Sequence, residues 1–423
     1  MNPDLAGERR PLRILMIAPT SYFADYGCHV RILEEVRALT RHGHRVVVCT
    51  YHNGNDIPGM IIRRSIDVPW RKRVIVGSSR HKLYLDAALS ATALRTSLSF
   101  KPDLIHAHLH EGALIGGVLA RVLRRPLIFD YQGSLTEEML DHGFVRRDGA
   151  LLPWLRRLER RINRLPQMII TSSDNARQRL TQTRPQGKLS TVLDAVDTDR
   201  FAPNALTPGE RIKLRHHLGI PDQSQVIVYL GLLAPYQGSD LLLRAARTIA
   251  NAKPSAFFLL MGFPGVEQYQ RQAEQLGLSN RVSFPGRIPY PEAHRYLALG
   301  DVAVAPKMSL TEGNGKIYNY MAMGLPVVAF DADANREILG DLGIYARHGD
   351  EADFAAKVIE LLNNPDRGCA LGAKLRAHAV EALSWNTRVH ELLAVYDRVL
   401  TRQSPDPTTQ FAPRPARRAS TDD

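Results

Sequence analysis

The chain has 423 residues, 44% hydrophobic and 23% charged, which is enough for two domains of ~150–200 residues and too apolar for a disordered chain. Fifty-five Lys and Arg against 43 Asp and Glu give a net charge of +12, with basic clusters concentrated in the first half, from Arg9-Arg10 to Arg160-Arg161. Cys28, Cys49 and Cys369 are too few and too scattered for a disulfide scaffold or a cysteine-built zinc site and fit a reducing compartment, and no apolar run approaches the ~18 residues that cross a bilayer.

Along the chain, residues 1–11 read as a flexible arm with no apolar leader. Leu12–Ala18 suits a strand buried on both faces, Val30–Thr40 has apolar residues at helical spacing, and Arg45–Tyr51 is the next strand. Strand, glycine-bearing loop, helix, glycine and strand make a βαβ unit. The rhythm repeats through strands at Asp103–Ala107, Pro126–Asp130, Met168–Thr171 and Leu189–Leu193, with helices at Gly112–Leu123, Leu151–Leu165 and Ser173–Leu180. Pro203 and Pro208-Gly209 interrupt it.

A second series follows, with strands at Val226–Gly231, Ala256–Met261, Val282–Phe284, Val302–Ala305, Pro326–Phe330 and Gly343–Tyr345. Three helices close it, at Asp353–Leu362, Gly368–Leu383 and Asn386–Leu400. The expected architecture is α/β: two Rossmann-like, doubly wound parallel-sheet domains facing a cleft. The expected boundaries are 12–197 for an acceptor-side domain, 198–212 for a linker and 213–383 for a donor-binding domain. Residues 384–401 form a closing helix that returns to the first domain, and 402–423 a disordered tail.

Ligands of such sheets bind beyond the carboxyl ends of the strands. There the second domain carries Glu312-Gly313-Asn314-Gly315-Lys316, glycines that admit an anion to backbone amides and a lysine that adds a full positive charge. This is a phosphate or diphosphate cradle, and equally a plain strand-to-helix turn. In the first domain, the turn at Gly27-Cys28 precedes the helix Val30–Thr40, whose amino end faces the same region, and Arg31 lies in the first turn of that helix. His106, His108, His110 and Glu111 end a strand, and period two puts the three imidazoles on one side, the pattern of a zinc or di-metal hydrolase or of satisfied polar residues. Gln132 and Asp141 lie in loops or helices after the next strand.

Tyr320-Met321-Ala322-Met323-Gly324-Leu325-Pro326, entered from Ser309…Glu312-Gly313, resembles the donor-site signature of family 4 retaining glycosyltransferases with the GT-B fold. Gly43-His44, Pro102–His108, Val196–Pro203, Arg281–Gly286 and Ser384-Trp385 resemble it as well, over residues 12–400. The resemblance implies transfer of a sugar, with retention and without a metal or other cofactor, from a nucleotide diphosphate sugar. The acceptor would be a glycan or a lipid-linked saccharide at an anionic membrane, on the cytoplasmic side. Nucleic acid is not an expected partner, because aromatic residues are not interleaved with the basic clusters.

Residue by residue, the resemblance makes Glu312 catalytic, on the donor-sugar hydroxyls, and the loop chemistry makes Lys316 the candidate catalytic cation beside it. It gives donor binding to Gly27, Gly231, Gln237, Gly313, Asn314, Gly315, Lys316 and Asn319, and acceptor contacts to His106, His108, Gln132 and Asp141. Asn319 stands where the family has a second glutamate, and Leu232 and Gln237 where it has an arginine and a lysine for the leaving diphosphate. Lys316, Lys307 and Arg287 are the candidate replacements, and a GT-B-fold binding protein without turnover is the rival reading.

Overall fold

Strands built from near-continuous apolar runs have no wet face, so each must be covered on both sides. The computed structural model describes residues 10–23, 27–67, 82–141, 144–309 and 313–401. The first series comprises β1 (Arg13–Ala18), α1 (Gly27–Arg41), β2 (Arg45–Thr50), β3 (Ile61–Arg64), α2 (Lys82–Phe100), β4 (Leu104–His108), α3 (Leu109–Leu123) and β5 (Leu127–Tyr131). It continues with α4 (Leu135–Asp141), α5 (Leu151–Ile162), β6 (Met168–Thr171), α6 (Asp174–Thr181) and β7 (Leu189–Thr191). These strands form a parallel sheet of order β3-β2-β1-β4-β5-β6-β7.

The second series comprises α7 (Pro208–His217), β8 (Gln225–Leu232), α8 (Ser239–Ala252), β9 (Ala256–Phe263), α9 (Val266–Gln275), β10 (Val282–Gly286), α10 (Ala293–Leu297) and β11 (Val302–Ala305). Then come α11 (Lys316–Ala322), β12 (Val327–Phe330), α12 (Asp333–Leu339), β13 (Ile344–Ala346), α13 (Glu351–Asn363), α14 (Pro365–Ala382) and α15 (Trp385–Thr401). Its sheet is also parallel, in the order β10-β9-β8-β11-β12-β13. Both orders reverse direction beside their central strands, which is the expected doubly wound pattern.

β3 and α2 were not among the expected elements. β3 is an edge strand with alternating exposure and no apolar run. α2 carries serines and threonines among its apolar residues and has only a weak apolar face. The expected linker, residues 198–212, contains the start of a helix at Pro208. Thr207 caps it in a reciprocal pair with Glu210, each side chain taking the other's backbone N–H. The expected arm (apart from residues 10 and 11) and the expected tail lie outside the described residues.

The chain crosses between the sheets at two adjacent points. Val196 and Ser384 form a parallel bridge, with Val196 N–H donating to Leu383 O at 2.9 Å and Trp385 N–H to Val196 O at 3.3 Å. Arg376 of α14 fastens the first crossing to the second domain. Its guanidinium donates to Thr198 O, Phe201 O and Ala322 O at 2.9, 2.7 and 2.8 Å. Beyond the second crossing α15 packs on α1 and β4. Trp385, Val389, Leu392, Tyr396 and Val399 are buried in one core with Ile32, Val36 and residues of the second domain. Among the described residues no helix is long and apolar enough to cross a membrane. Arg376→Ala leaves three carbonyls at the crossing without their charged donor and should cost about 2–4 kcal/mol, read as a lower midpoint in urea unfolding with an unchanged slope.

Candidate active site in the interdomain cleft

The carboxyl ends of the two sheets enclose a cleft of about 1000 Å³. Its walls include the segments after β1, β5 and β6 on one side, and the ends of β8 and β9 with the start of α11 on the other. Gly27, Gln132, Gly231, Gln237, Gly313, Asn314, Gly315, Lys316 and Asn319 all line it. Glu312 lies outside the described residues, and Asp141 ends α4 with its side chain outside them.

On the second domain's side one lysine organises the wall. Lys316 Nζ donates to Gln237 Oε1 at 2.9 Å and to Asn314 Oδ1 at 3.2 Å, and lies 5.3 Å from the centre of the Tyr229 ring. Gly231 makes this possible. Its φ is +156°, and a Cβ there would sit 2.8 Å from Lys316 Cε, so a side chain would displace the lysine. Asn314 is fixed in turn by donating to Asn335 Oδ1 at 2.9 Å, and Asn335 donates to Phe330 O at 2.8 Å. Lys316 therefore meets Gln237, the position from which the family's lysine is missing. Of the other candidate cations, Lys307 is spent on Gly313 O at 2.7 Å, and Arg287 stacks over Phe263 at 5.0 Å.

The first domain's side is held by buried ionic groups. Arg31 was expected to assist an anion from the first turn of its helix. α1 instead begins at Gly27, which places Arg31 a turn deeper, 4% exposed. Its Nε donates to both Asp130 oxygens at 3.1 and 3.0 Å, Nη1 to Asp194 at 2.6 Å and Nη2 to Val192 O at 3.1 Å. Burial works against an ionised Asp130, but Arg31 and the hydrogen bond to His108 outweigh it and hold the carboxyl well below its usual range. Gln132 donates to Asp130 Oδ2 at 2.7 Å and is thereby aimed along the cleft wall.

The three histidines do not share one side. β4 ends at His108, and Leu109, with φ +60°, turns the chain into α3. His106 and His108 are wholly buried, stacked 4.6 Å apart, and neither lines the cleft, so the expected acceptor contacts do not arise from them. His110 does line it, with Nε2 3.6 Å from Glu159 Oε1. Glu159 also accepts from Ser134 Oγ and the Thr136 amide at 3.1 and 3.2 Å. The sequence gives no sign of this pairing, because the partners lie far apart in the chain. Across the cleft mouth, Glu337 of α12 accepts from Asn175 Nδ2 at 3.0 Å and from the Asp174 amide at the start of α6, joining the two domains.

His29, on the cleft wall, is pushed down to about 3 by burial and by the nearby Arg287 charge. The folded state keeps this imidazole neutral while the unfolded chain protonates near 6.5, so stability falls as pH drops below 6.5. His29→Gln should therefore shrink the loss of stability between pH 7 and pH 5 by about 2 kcal/mol, measured by urea unfolding at both values.

Comparison with known proteins agrees with this architecture. The family model described as "Glycosyltransferase Family 4" matches residues 27–200, and that described as "Glycosyl transferases group 1" matches residues 224–364. The putative glycosyltransferase EpsD of Bacillus subtilis is 30% identical over 308 residues, 70% of this chain and 77% of that protein. A GDP-mannose-dependent alpha-(1-6)-phosphatidylinositol monomannoside mannosyltransferase of Mycolicibacterium smegmatis is 32% identical over 249 residues, 56% of this chain and 64% of that protein. The crystal structure of Anabaena Alr3699/HepE in complex with UDP and glucose superimposes with a TM-score of 0.73 at 19% identity, over 92% of this chain and all of that one. The chain belongs to the family 4 glycosyltransferases of the GT-B fold.

Proposed function

We propose that the protein transfers a sugar, with retention and without a metal at the reacting centre, from a nucleotide diphosphate sugar to a lipid-linked or polysaccharide acceptor. The observation that carries this reading is the Lys316 ammonium, delivered through the gap at Gly231 to Gln237 inside the cleft. It supplies the positive charge whose absence at Leu232 and Gln237 otherwise favours a binding protein. The relatives support a nucleotide-activated donor: one is named GDP-mannose-dependent, and one structural neighbour holds UDP and glucose.

In this mechanism the diphosphate lies between Lys316, the amides of Gly313–Lys316 and the amino end of α1 at Gly27. The bond from the anomeric carbon to the phosphate oxygen breaks while Lys316 offsets the charge developing there, a fixed-charge effect worth several kcal/mol in a dry site. The acceptor oxygen attacks from the face the diphosphate leaves, and its proton passes to the departing phosphate oxygen. Gln132, which has no basic atom, takes no part in that proton transfer. Glu312 holds donor-sugar hydroxyls, and Asn319 accepts from the ribose. Glu337 and α6 keep the domains together while water is excluded.

For the acceptor, the surface beside the cleft has a membrane-facing chemistry. Leu114, Val118 and Val122 form an exposed stripe on α3, and Leu151 and Trp154 are exposed on the neighbouring α5. Arg121, Arg124, Arg125, Arg157 and Arg161 are exposed around them. An apolar stripe ringed by arginines matches an anionic lipid surface. The relative named for a phosphatidylinositol monomannoside supports an acceptor of that kind.

Thermal unfolding with UDP, GDP, ADP and dTDP and their sugar conjugates tests the donor reading. A ligand at ~100 times its Kd adds about 2.7 kcal/mol, a shift of a few degrees. One nucleotide family should raise the midpoint of the wild type and fail to raise that of Lys316→Met. No shift with any nucleotide overturns the reading. With the right donor identified, Glu312→Gln should lower turnover by orders of magnitude with little change in nucleotide affinity. Binding to anionic vesicles should weaken sharply between 0.05 and 0.5 M salt (about 14 and 4 Å of screening length) and in Val118→Ser/Val122→Ser, whereas salt-independent partitioning argues against this face.

A further inference from the structure

Behind the cleft, four side chains from three elements converge: Glu35 of α1, His106 and His108 of β4, and Asp130 of β5. One ligating atom from each lies within 4.8 Å of the others, all four residues are wholly buried, and none lines the cleft. We propose that this cluster binds one divalent transition-metal cation, zinc by the chemistry of its donors, through Nε2 of His106, Nε2 of His108 and the Glu35 carboxylate. The cation fixes the acceptor-side domain and takes no part in sugar transfer, so the inference stands apart from the proposed reaction.

The donor atoms are poised and unsatisfied. His106 Nε2, His108 Nε2 and both Glu35 carboxylate oxygens are buried without a hydrogen-bond partner, a rare state for polar atoms in a folded core. Glu35 Oε1 is ion-paired with Arg31 Nε at 3.2 Å, which leaves Oε2, 3.9 Å from His108 Nε2, to face inward. The opposite ring nitrogens are already occupied. His106 Nδ1 lies 2.7 Å from the Tyr396 hydroxyl and His108 Nδ1 lies 3.1 Å from Asp130 Oδ2. An outer carboxylate or oxygen on Nδ1 that leaves the Nε2 lone pair for the ion is the usual surrounding of a ligating imidazole.

Charge points the same way. Three carboxylates, Glu35, Asp130 and Asp194, surround the one guanidinium of Arg31. A divalent cation adds positive charge where carboxyl groups outnumber the guanidinium. Imidazole nitrogen with carboxylate oxygen, and no thiolate, is a donor set that zinc accepts at about 2.0–2.2 Å. Asp130 holds His108 from the Nδ1 side and completes the cluster of four.

The test uses the full chain without a histidine tag. Metal content is measured on the purified protein, and chelator-treated protein is then titrated with Zn²⁺ and Co²⁺. The expected result is one tight equivalent, with visible Co²⁺ absorption of a four-coordinate site and a thermal midpoint several degrees higher with Zn²⁺ than after chelation. Glu35→Gln should weaken uptake at least tenfold. Tyr396→Phe, which keeps the ring and removes only the outer oxygen, should weaken it about tenfold. Absence of metal together with no uptake by wild type overturns the proposal. So does uptake unchanged in both variants, which would place the ion on exposed histidines.

Discussion

Arg31 is a guanidinium taken out of water, and the first half of the molecule is arranged around that fact. A buried charge is tolerated only when its partners are close and hydrogen-bonded. Here they come from separate parts of the chain: Asp130 on β5, and Val192 and Asp194 at the exit of β7. Helix α1 cannot slide along the sheet without stripping this charge of a partner. Its amino end at Gly27 is therefore held at the cleft, and Gln132 is aimed by the same carboxylate that receives Arg31. Trp385 lies 5.9 Å from the guanidinium, so the element that closes the chain also feels it.

The two walls of the cleft differ in how they are made. The wall of the first domain is built on buried charged and polar groups gathered around Arg31 and Asp130. The wall of the second domain depends on one long side chain passing a residue that has none. Lys316 bridges Gln237 and Asn314, positions far apart in sequence that the fold of β8 and α11 brings together. Lys316 thereby brings a positive charge to Gln237 inside the cleft, a contact that no linear motif announces.

Much of the fold was legible in the sequence because strands buried on both faces leave long apolar runs: β1, β8, β9 and β12 begin and end within a few residues of where those runs do. Where burial is one-sided or absent, the signal fades. The edge strand β3 exposes half its residues, and α2 spreads its apolar residues around the helix. The histidine series shows how a local period misleads. Alternation holds for His106 and His108, then a left-handed residue at Leu109 starts a helix and sends His110 elsewhere. Glycine and lysine at 313–316 read as a phosphate cradle or a plain strand-to-helix turn, and the fold brings all four residues to the cleft wall. The pairing of Lys316 with Gln237, of Glu159 with His110, and the convergence of Glu35 on two histidines rest on contacts across 49 or more positions, which a single sequence does not encode in readable form.

The position of α15 has a consequence for synthesis. The second sheet and its helices occupy one continuous stretch, from α7 to α14, and close on themselves as that stretch leaves the ribosome. The first sheet emerges earlier but lacks a part of its core. Tyr396 meets His106 across 290 positions, and Trp385, Leu392 and Val399 fill the space against α1. The domain translated first is therefore the last to be finished, and it waits with apolar surface uncovered while about 200 further residues are made at ~5–20 residues per second. For some tens of seconds that surface is available to a chaperone, or to another nascent chain, before the protein's own helix covers it.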